Sequence, residues 1–251
     1  MILNPRYSPS DGPQPATTCV PAWDAVFRAQ KASASNWWLV AQPDHAALAR
    51  DLSERIQSRD FPALDDEVLQ AIALHDEGWK AFDNAPMAHD GRPLSFLDLG
   101  PADFLQAWRD SIACAERVGP VAGLLVSEHF LRLGQVHLET RGENPDVREF
   151  VKGEAERQER LLTKQRHSIS EIAGLVDVLQ FCDLLSLYLC CGSQENVEFP
   201  QKFNGRSIRL RREGEVCRIE PKLFGEGLSL GVSARKYPGE GGEVTIPVLV
   251  A

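Results

Sequence analysis

The sequence contains no P-loop and no G-x-G-x-x-G run. Nothing in it therefore matches the glycine-rich helix starts that cradle nucleotide phosphates. The glycine-rich stretch "GEGLSLG" precedes a strand pattern and not a helix, so it does not substitute for one. Positive charge is scarce, with 27 Lys and Arg against 36 Asp and Glu, a net charge of −9. The sequence pI is about 5.2. This balance excludes a general nucleic-acid binder, which needs a basic face. It leaves room for a small phosphate-bearing substrate, which a metal and a few local cations can hold.

The six cysteines, Cys19, Cys114, Cys182, Cys190, Cys191 and Cys217, include no C-x-x-C pair. A thiolate metal site of that spacing is absent, and free thiols in a reducing compartment are expected. No secretory signal opens the chain, since "MILNPRYSPSDGPQP" is polar and rich in proline. No run of the ~18–20 apolar residues a membrane span requires is expected. A cytoplasmic protein without a membrane or nucleic-acid partner follows as the expectation. No internal repeat and no low-complexity tract is present.

What the chain does have is "ALHDEGWKAFD", residues 73–83. Val68, Ile72, His75 and Trp79 are spaced i, i+4, i+7, i+11, which places His75 on the apolar stripe of an amphipathic helix. Asp76 flanks that stripe. A carboxylate facing a core needs its charge compensated, and a metal ion is one way to do so. A surface Asp beside a hydrogen-bonded His is the plainer alternative. At this spacing Trp79 reads as core.

Two further segments bear on the choice. "QPDHAALARDL" sets His45 at a helix start, with Pro43 and Asp44 as first-turn and capping residues. "EIAGLVDVLQFCDLLSLYLCC" is the most hydrophobic helical run, and Asp183 sits in its middle among inward positions. A buried Asp needs a partner: a metal, a helix N-terminus or an Arg.

The ordered set His45, His75-Asp76, Asp183 resembles the HD superfamily of metal-dependent phosphohydrolases. The chain is more closely similar to an uncharacterised bacterial family, a domain of unknown function. That likeness rests on "QPDHAALA", on "ALHDEGW" followed by an "AP" and "SF" segment, and on "CDLLSLYLC", and covers most of the chain from about Trp37 onward. The resemblance implies that His45, His75, Asp76 and Asp183 converge on one divalent ion, with Mn, Fe, Zn, Co and Ni all suited to the donors. His129, flanked at four residues by Leu125 and Leu133, resembles the extra histidine some such sites use for a second metal. His89, His137 and His167 read as solvated. Glu77 is a candidate proton donor or acceptor. Lys80 is a candidate phosphate-binding point charge, or a partner for a neighbouring acid.

The expected fold is mainly α, an HD-like helical bundle with a small antiparallel C-terminal sheet, α+β overall. Residues 1–22 read as a flexible arm. Residues 23–195 read as the helical domain, opened by a short hairpin from "AVFRAQ" and "NWWLVAQ". Residues 196–251 read as a small sheet packed on it, with turns at Asn204-Gly205, Glu213-Gly214 and Pro238-Gly239. The expected function is metal-dependent hydrolysis of a small-molecule phosphoester or phosphoanhydride. A di-iron HD-type oxygenase and a non-catalytic ligand-binding module are the alternatives.

Overall fold

A computed structural model describes residues 1–6, 22–162, 168–225, 227–239 and 242–251. Cys19 and His167 fall outside the described residues. The chain is α/β. Strand β1 (Ile2–Arg6) is followed by helix α1 (Ala22–Arg28) and strand β2 (Asn36–Val40). Helices α2 (Gln42–Ser53), α3 (Asp66–Leu74) and α4 (Lys80–Asn84) come next. A two-stranded ribbon, β3 (Ala88–His89) and β4 (Arg92–Pro93), leads to four long helices: α5 (Pro101–Glu116), α6 (Pro120–Arg141), α7 (Pro145–Leu162) and α8 (Ile169–Cys191). Strands β5 (Val197–Phe203), β6 (Arg206–Glu213), β7 (Val216–Glu220), β8 (Leu228–Tyr237) and β9 (Glu243–Val250) close the chain.

The expectation of a helical bundle with a small C-terminal sheet is overturned. Seven strands form one mixed sheet in the order β1-β2-β8-β9-β7-β6-β5. All neighbours are antiparallel except β7 and β9. The C-terminal strands are not an appendage, because β2 pairs with β8 through Trp37↔Tyr237 and carries β1 on its other side. Of residues 1–22, expected as a flexible arm, Ile2–Arg6 supply that edge strand, with Ile2 and Leu3 fully buried, while 7–21 lie outside the described residues. The expected hairpin is also replaced. "AVFRAQ" lies in α1 and a 3-10 turn, Ala29–Lys31, so the partner of β2 comes from further back in the chain.

Helix α8 runs through the core. Ser168 caps its N-terminus in a reciprocal box with Glu171, and Gly192 ends it in the left-handed conformation at φ 67°. It is long and apolar enough to cross a membrane, contrary to the reading of the sequence, with a mean hydropathy of 1.7 over its most apolar window. Yet 72% of that window is buried inside the protein, where α2, α3, α6, α1, β1 and β5 pack on it. Hydrophobic burial all round a helix is what a core helix requires. Helix α7 is the opposite case. Half of its residues are charged, and it docks through Val147 and Phe150.

Helix α6 is unbroken through His137, because Gly134 serves packing and not termination. A Cβ there would stand 2.6 Å from Val151 Cγ2 on α7. The start of α6 is held from outside, since the Glu67 carboxylate on α3 accepts the Val121 and Ala122 amides at 2.8 and 3.1 Å. The Asn204-Gly205 turn joins β5 to β6 with both residues at positive φ, 50° and 74°. The stretch Gly227-Leu228-Ser229-Leu230-Gly231 fits G-x-S-x-G. From Leu228 on it is the start of β8 itself and not a strand-to-helix turn, so it forms no nucleophile elbow.

Candidate metal centre

Helix α3 does not continue through the His75-Asp76 doublet. It ends at Leu74, His75 is its C-cap, and Asp76 adopts φ −118°, ψ 19° before a 3-10 turn, Glu77–Trp79. This corrects the expectation of one continuous helix, and the break matters. Adjacent residues of a regular helix point about 100° apart, whereas the altered backbone at Asp76 brings both side chains to one place. Gly78 makes the break possible. Any Cβ there would lie 2.0 Å from the Ala107 carbonyl oxygen and 2.6 Å from the Ser111 amide on α5. The Gly78 amide instead donates to Ser111 Oγ at 2.9 Å. Trp79 is core, as its spacing implied, packed near Phe82 and Phe96.

His45 enters from the first turns of α2. Ala41 is the extended N-cap and Pro43 lies in the first turn. The Gln42 amide at that start donates to Asp83 Oδ2 at 2.5 Å. Asp183 enters from the middle of α8. Donor atoms of His45, His75, Asp76 and Asp183 all lie within 4.8 Å of one another, and the group could hold a metal ion.

The contacts within the group are close. His45 Nε2 is 2.8 Å from Asp76 Oδ2, and His75 Nε2 is 3.3 Å from Asp183 Oδ1. The His45 and His75 rings stand edge to face at 5.2 Å. Both imidazoles are fully buried, and the side chains of Asp76 and Asp183 are 9% and 14% exposed. The group therefore opens outward through its carboxylates. His75 Nδ1 donates to the Ile72 carbonyl at 2.7 Å. A carbonyl only accepts, so Nδ1 carries the proton and Nε2 is the nitrogen turned toward Asp183.

The electrostatics fit a cation. Burial pushes the His75 imidazole down, but the Asp76 charge and the hydrogen bond to Asp183 outweigh it and raise its pKa to about 9. Burial likewise pushes Asp183 up, and the hydrogen bond and charge of His75 bring it down to about 2. The cluster thus holds a proton as its cation, at the place where a divalent ion would put its charge. Two neutral imidazoles and two carboxylates are a donor set suited to zinc, iron or manganese.

His129 lies beside this group on α6. Its ring is 5.4 Å from that of His75, and its Nε2 is 3.9 Å from Asp183 Oδ2, beyond hydrogen-bond reach. Its Nδ1 is buried without a partner. Burial pushes its pKa down to about 4, so it is neutral. Glu77 and Lys80 do not join the group. They bond each other at 2.9 Å on the 3-10 turn, with the Lys80 side chain 64% exposed. His89 is exposed beside Asp90, and His137, expected as solvated, is partly buried with its ring tilted against Phe104, 5.3 Å between ring centres.

Sequence reasoning missed two residues. Ser186 Oγ lies 2.9 Å from His45 Nδ1 and donates to the Asp183 carbonyl at 2.8 Å. Arg132, one turn after His129, is held by Glu128, Asp177 and Gln180 at 2.9, 2.7 and 3.2 Å. Each sits three residues after a candidate ligand on the same helix, and that i, i+3 spacing is the signal that could have found them.

A family model described as Protein of unknown function (DUF3891) matches residues 29–246. The match covers most of the chain, so the chain belongs to that family. No curated protein and no solved structure matches it.

Proposed function

We propose that this member of the family is a metal-dependent hydrolase acting on a phosphoester or phosphoanhydride of a small molecule. The observation that carries the reading is the buried convergence of His45, His75, Asp76 and Asp183 from three separate elements. Two buried acids against two buried histidines are costly to assemble unless a cation is to be held there. The order and type of these residues support the likeness to the HD superfamily in its metal chemistry. The seven-stranded sheet is no part of that likeness.

His45, His75, Asp76 and Asp183 would be the ligands. A divalent ion held by them would acidify water and polarise a phosphoryl oxygen. The residues of the chain do the rest. The Ile72 carbonyl keeps the His75 proton on Nδ1 and frees Nε2 for ligation. Glu77 can take or give a proton, and Lys80 can meet a phosphate, once the ion pair between them opens. Arg132 adds a half-buried guanidinium on the His129 side.

Metal analysis of the purified protein, followed by a phosphomonoester and phosphodiester panel with manganese, cobalt and nickel, tests the reading. Metal-dependent turnover abolished by His75→Ala is expected, with Lys80→Ala raising KM more than it lowers metal content. Failure to take up zinc, manganese or iron would favour a non-catalytic binding module. A second reading, a di-iron oxygenase, is favoured by one observation, the His129 imidazole beside the group with Nε2 3.9 Å from Asp183 Oδ2 and no hydrogen bond holding its Nδ1. Two irons per chain with visible charge-transfer absorption would establish it over hydrolysis.

A further inference from the structure

We infer that Ser186 is a positioning residue for the metal centre, fixing the His45 imidazole as a ligand through Nε2. The inference rests on the metal-binding reading above and concerns how that site is prepared.

The two histidines of the group have different supports. His75 Nδ1 faces a backbone carbonyl, an acceptor that no side-chain substitution removes. His45 Nδ1 faces a hydroxyl, Ser186 Oγ, which can donate or accept. The neighbourhood of Ser186 decides between the two. Its hydroxyl lies 2.8 Å from the Asp183 carbonyl one turn back on α8, which can only accept. With the hydroxyl proton directed there, the oxygen lone pairs face His45 Nδ1 at 2.9 Å and accept its N–H. The relay His45 Nδ1–H to Ser186 Oγ–H to Asp183 O points Nε2 into the group, 2.8 Å from Asp76 Oδ2, where a bound ion would replace the hydrogen that joins these two atoms and leave the Nε2 lone pair as the ligand. The arrangement spans α2 and α8, so the same hydroxyl sets both the tautomer and the rotation of the ring.

No other role accounts for this hydroxyl as well. Ser186 is fully buried in the most apolar helix of the chain, between Leu185 and Leu187. A buried hydroxyl is costly unless bonded, and an alanine would fit the helix at least as well. In the Ser186→Ala variant, a metal-ligated His45 would carry a buried Nδ1–H with no acceptor. Outer partners of this kind change metal affinity by ~10–100-fold.

The test is zinc affinity by competition with a chelator for wild type, Ser186→Ala and Ser186→Thr. A second readout is proton–nitrogen NMR of the histidine rings in the zinc-loaded proteins. We expect zinc binding weakened ~10–100-fold by Ser186→Ala and restored towards wild type by Ser186→Thr, which keeps the hydroxyl. A slowly exchanging His45 Nδ1–H should appear in wild type and be lost or fast-exchanging in Ser186→Ala. If Ser186→Thr does not fold, Ser186→Cys, a weaker acceptor, should fall between wild type and Ser186→Ala. Wild-type affinity and an unchanged His45 signal in Ser186→Ala would overturn the inference while leaving the metal centre standing. A wild type that binds no zinc, manganese or iron would overturn both.

Discussion

His75 and His129 are near neighbours with the same burial and opposite charge behaviour. Their rings are 5.4 Å apart and both are shut away from solvent. His75, at the junction after α3, is raised to about 9, while His129, on α6, is lowered to about 4. Desolvation acts downward on both. The difference is partners: His75 has a carbonyl on one nitrogen and carboxylates at the other, whereas His129 has an empty Nδ1 and no acceptor within reach of Nε2. Burial alone therefore does not mark a metal ligand. The α2–α3–α8 side of the centre is assembled around a cation, and the imidazole that α6 brings to it is neutral.

Asp183→Ala should break this contrast most severely. It removes the hydrogen-bond partner of His75 and one of the four candidate ligands. Metal affinity should fall by more than the ~10–100-fold that outer partners cost. In the metal-free protein the His75 pKa should fall below about 9 as the Asp183 hydrogen bond and charge are lost, with the Asp76 charge still holding it up against burial, as followed by NMR titration. A variant that loads metal normally would make Asp183 a structural acid.

The pH dependence of stability should show the two histidines with opposite signs. The folded pKa of His75 lies above the ordinary 6.5, so its contribution is full below about pH 6.5 and is lost as pH rises toward about 9. The folded pKa of His129 lies below 6.5, so between about pH 4 and 6.5 the unfolded chain binds the extra proton and stability rises with pH. Denaturant unfolding of the metal-free protein at a series of pH values, compared with His129→Leu, should show the acid limb reduced in the variant and the alkaline limb retained. Metal affinity should climb by roughly tenfold per pH unit up to about pH 9, because binding expels the proton held by His75.

The smallest effect is expected from His129→Leu at neutral pH. Among the described residues the neutral imidazole leaves Nδ1 unpartnered and Nε2 3.9 Å from Asp183, so an apolar replacement should change stability by no more than ~1 kcal/mol. The first equivalent of metal should bind as in wild type. Loss of a second equivalent in His129→Leu would place His129 in a binuclear centre and shift preference to the oxygenase reading.

The candidate site was legible because its residues sit at positions where their chemistry is unusual. Asp183 is a carboxylate in the midst of a Leu-rich helix, and His45 follows a helix-start signal. The break at Asp76 was not legible, since Val68, Ile72, His75 and Trp79 keep helical spacing across it. The close approach to α5 involves Gly78 and atoms of Ala107, Asp110 and Ser111, more than twenty residues away. The sheet was read from its C-terminal strands and from "NWWLVAQ", whose strand, β2, pairs with β1 and β8 and not with "AVFRAQ". Alternation marks β6 and β8, but β1 is five residues long and includes Asn4 and Pro5, which hide its strand character. Its place is fixed by pairing with β2 and by α8, both distant in sequence.

One consequence of β1 concerns how this molecule meets others. A strand at the margin of a sheet usually offers a row of free amides and carbonyls to any passing chain. Here the outward row is spent. The Leu3 amide and carbonyl are both taken by the Gln30 side chain, at 2.8 and 3.1 Å, as if by one residue of a neighbouring strand. The Met1 carbonyl, facing the same way, receives the Phe96 amide at 3.0 Å, and Pro5 has no N–H to give. A borrowed amide, a loop and a proline together make a selvedge, a finished border that cannot be extended. Among the described residues, growth of the sheet by strand exchange or fibril-like stacking is left to the margin at β5.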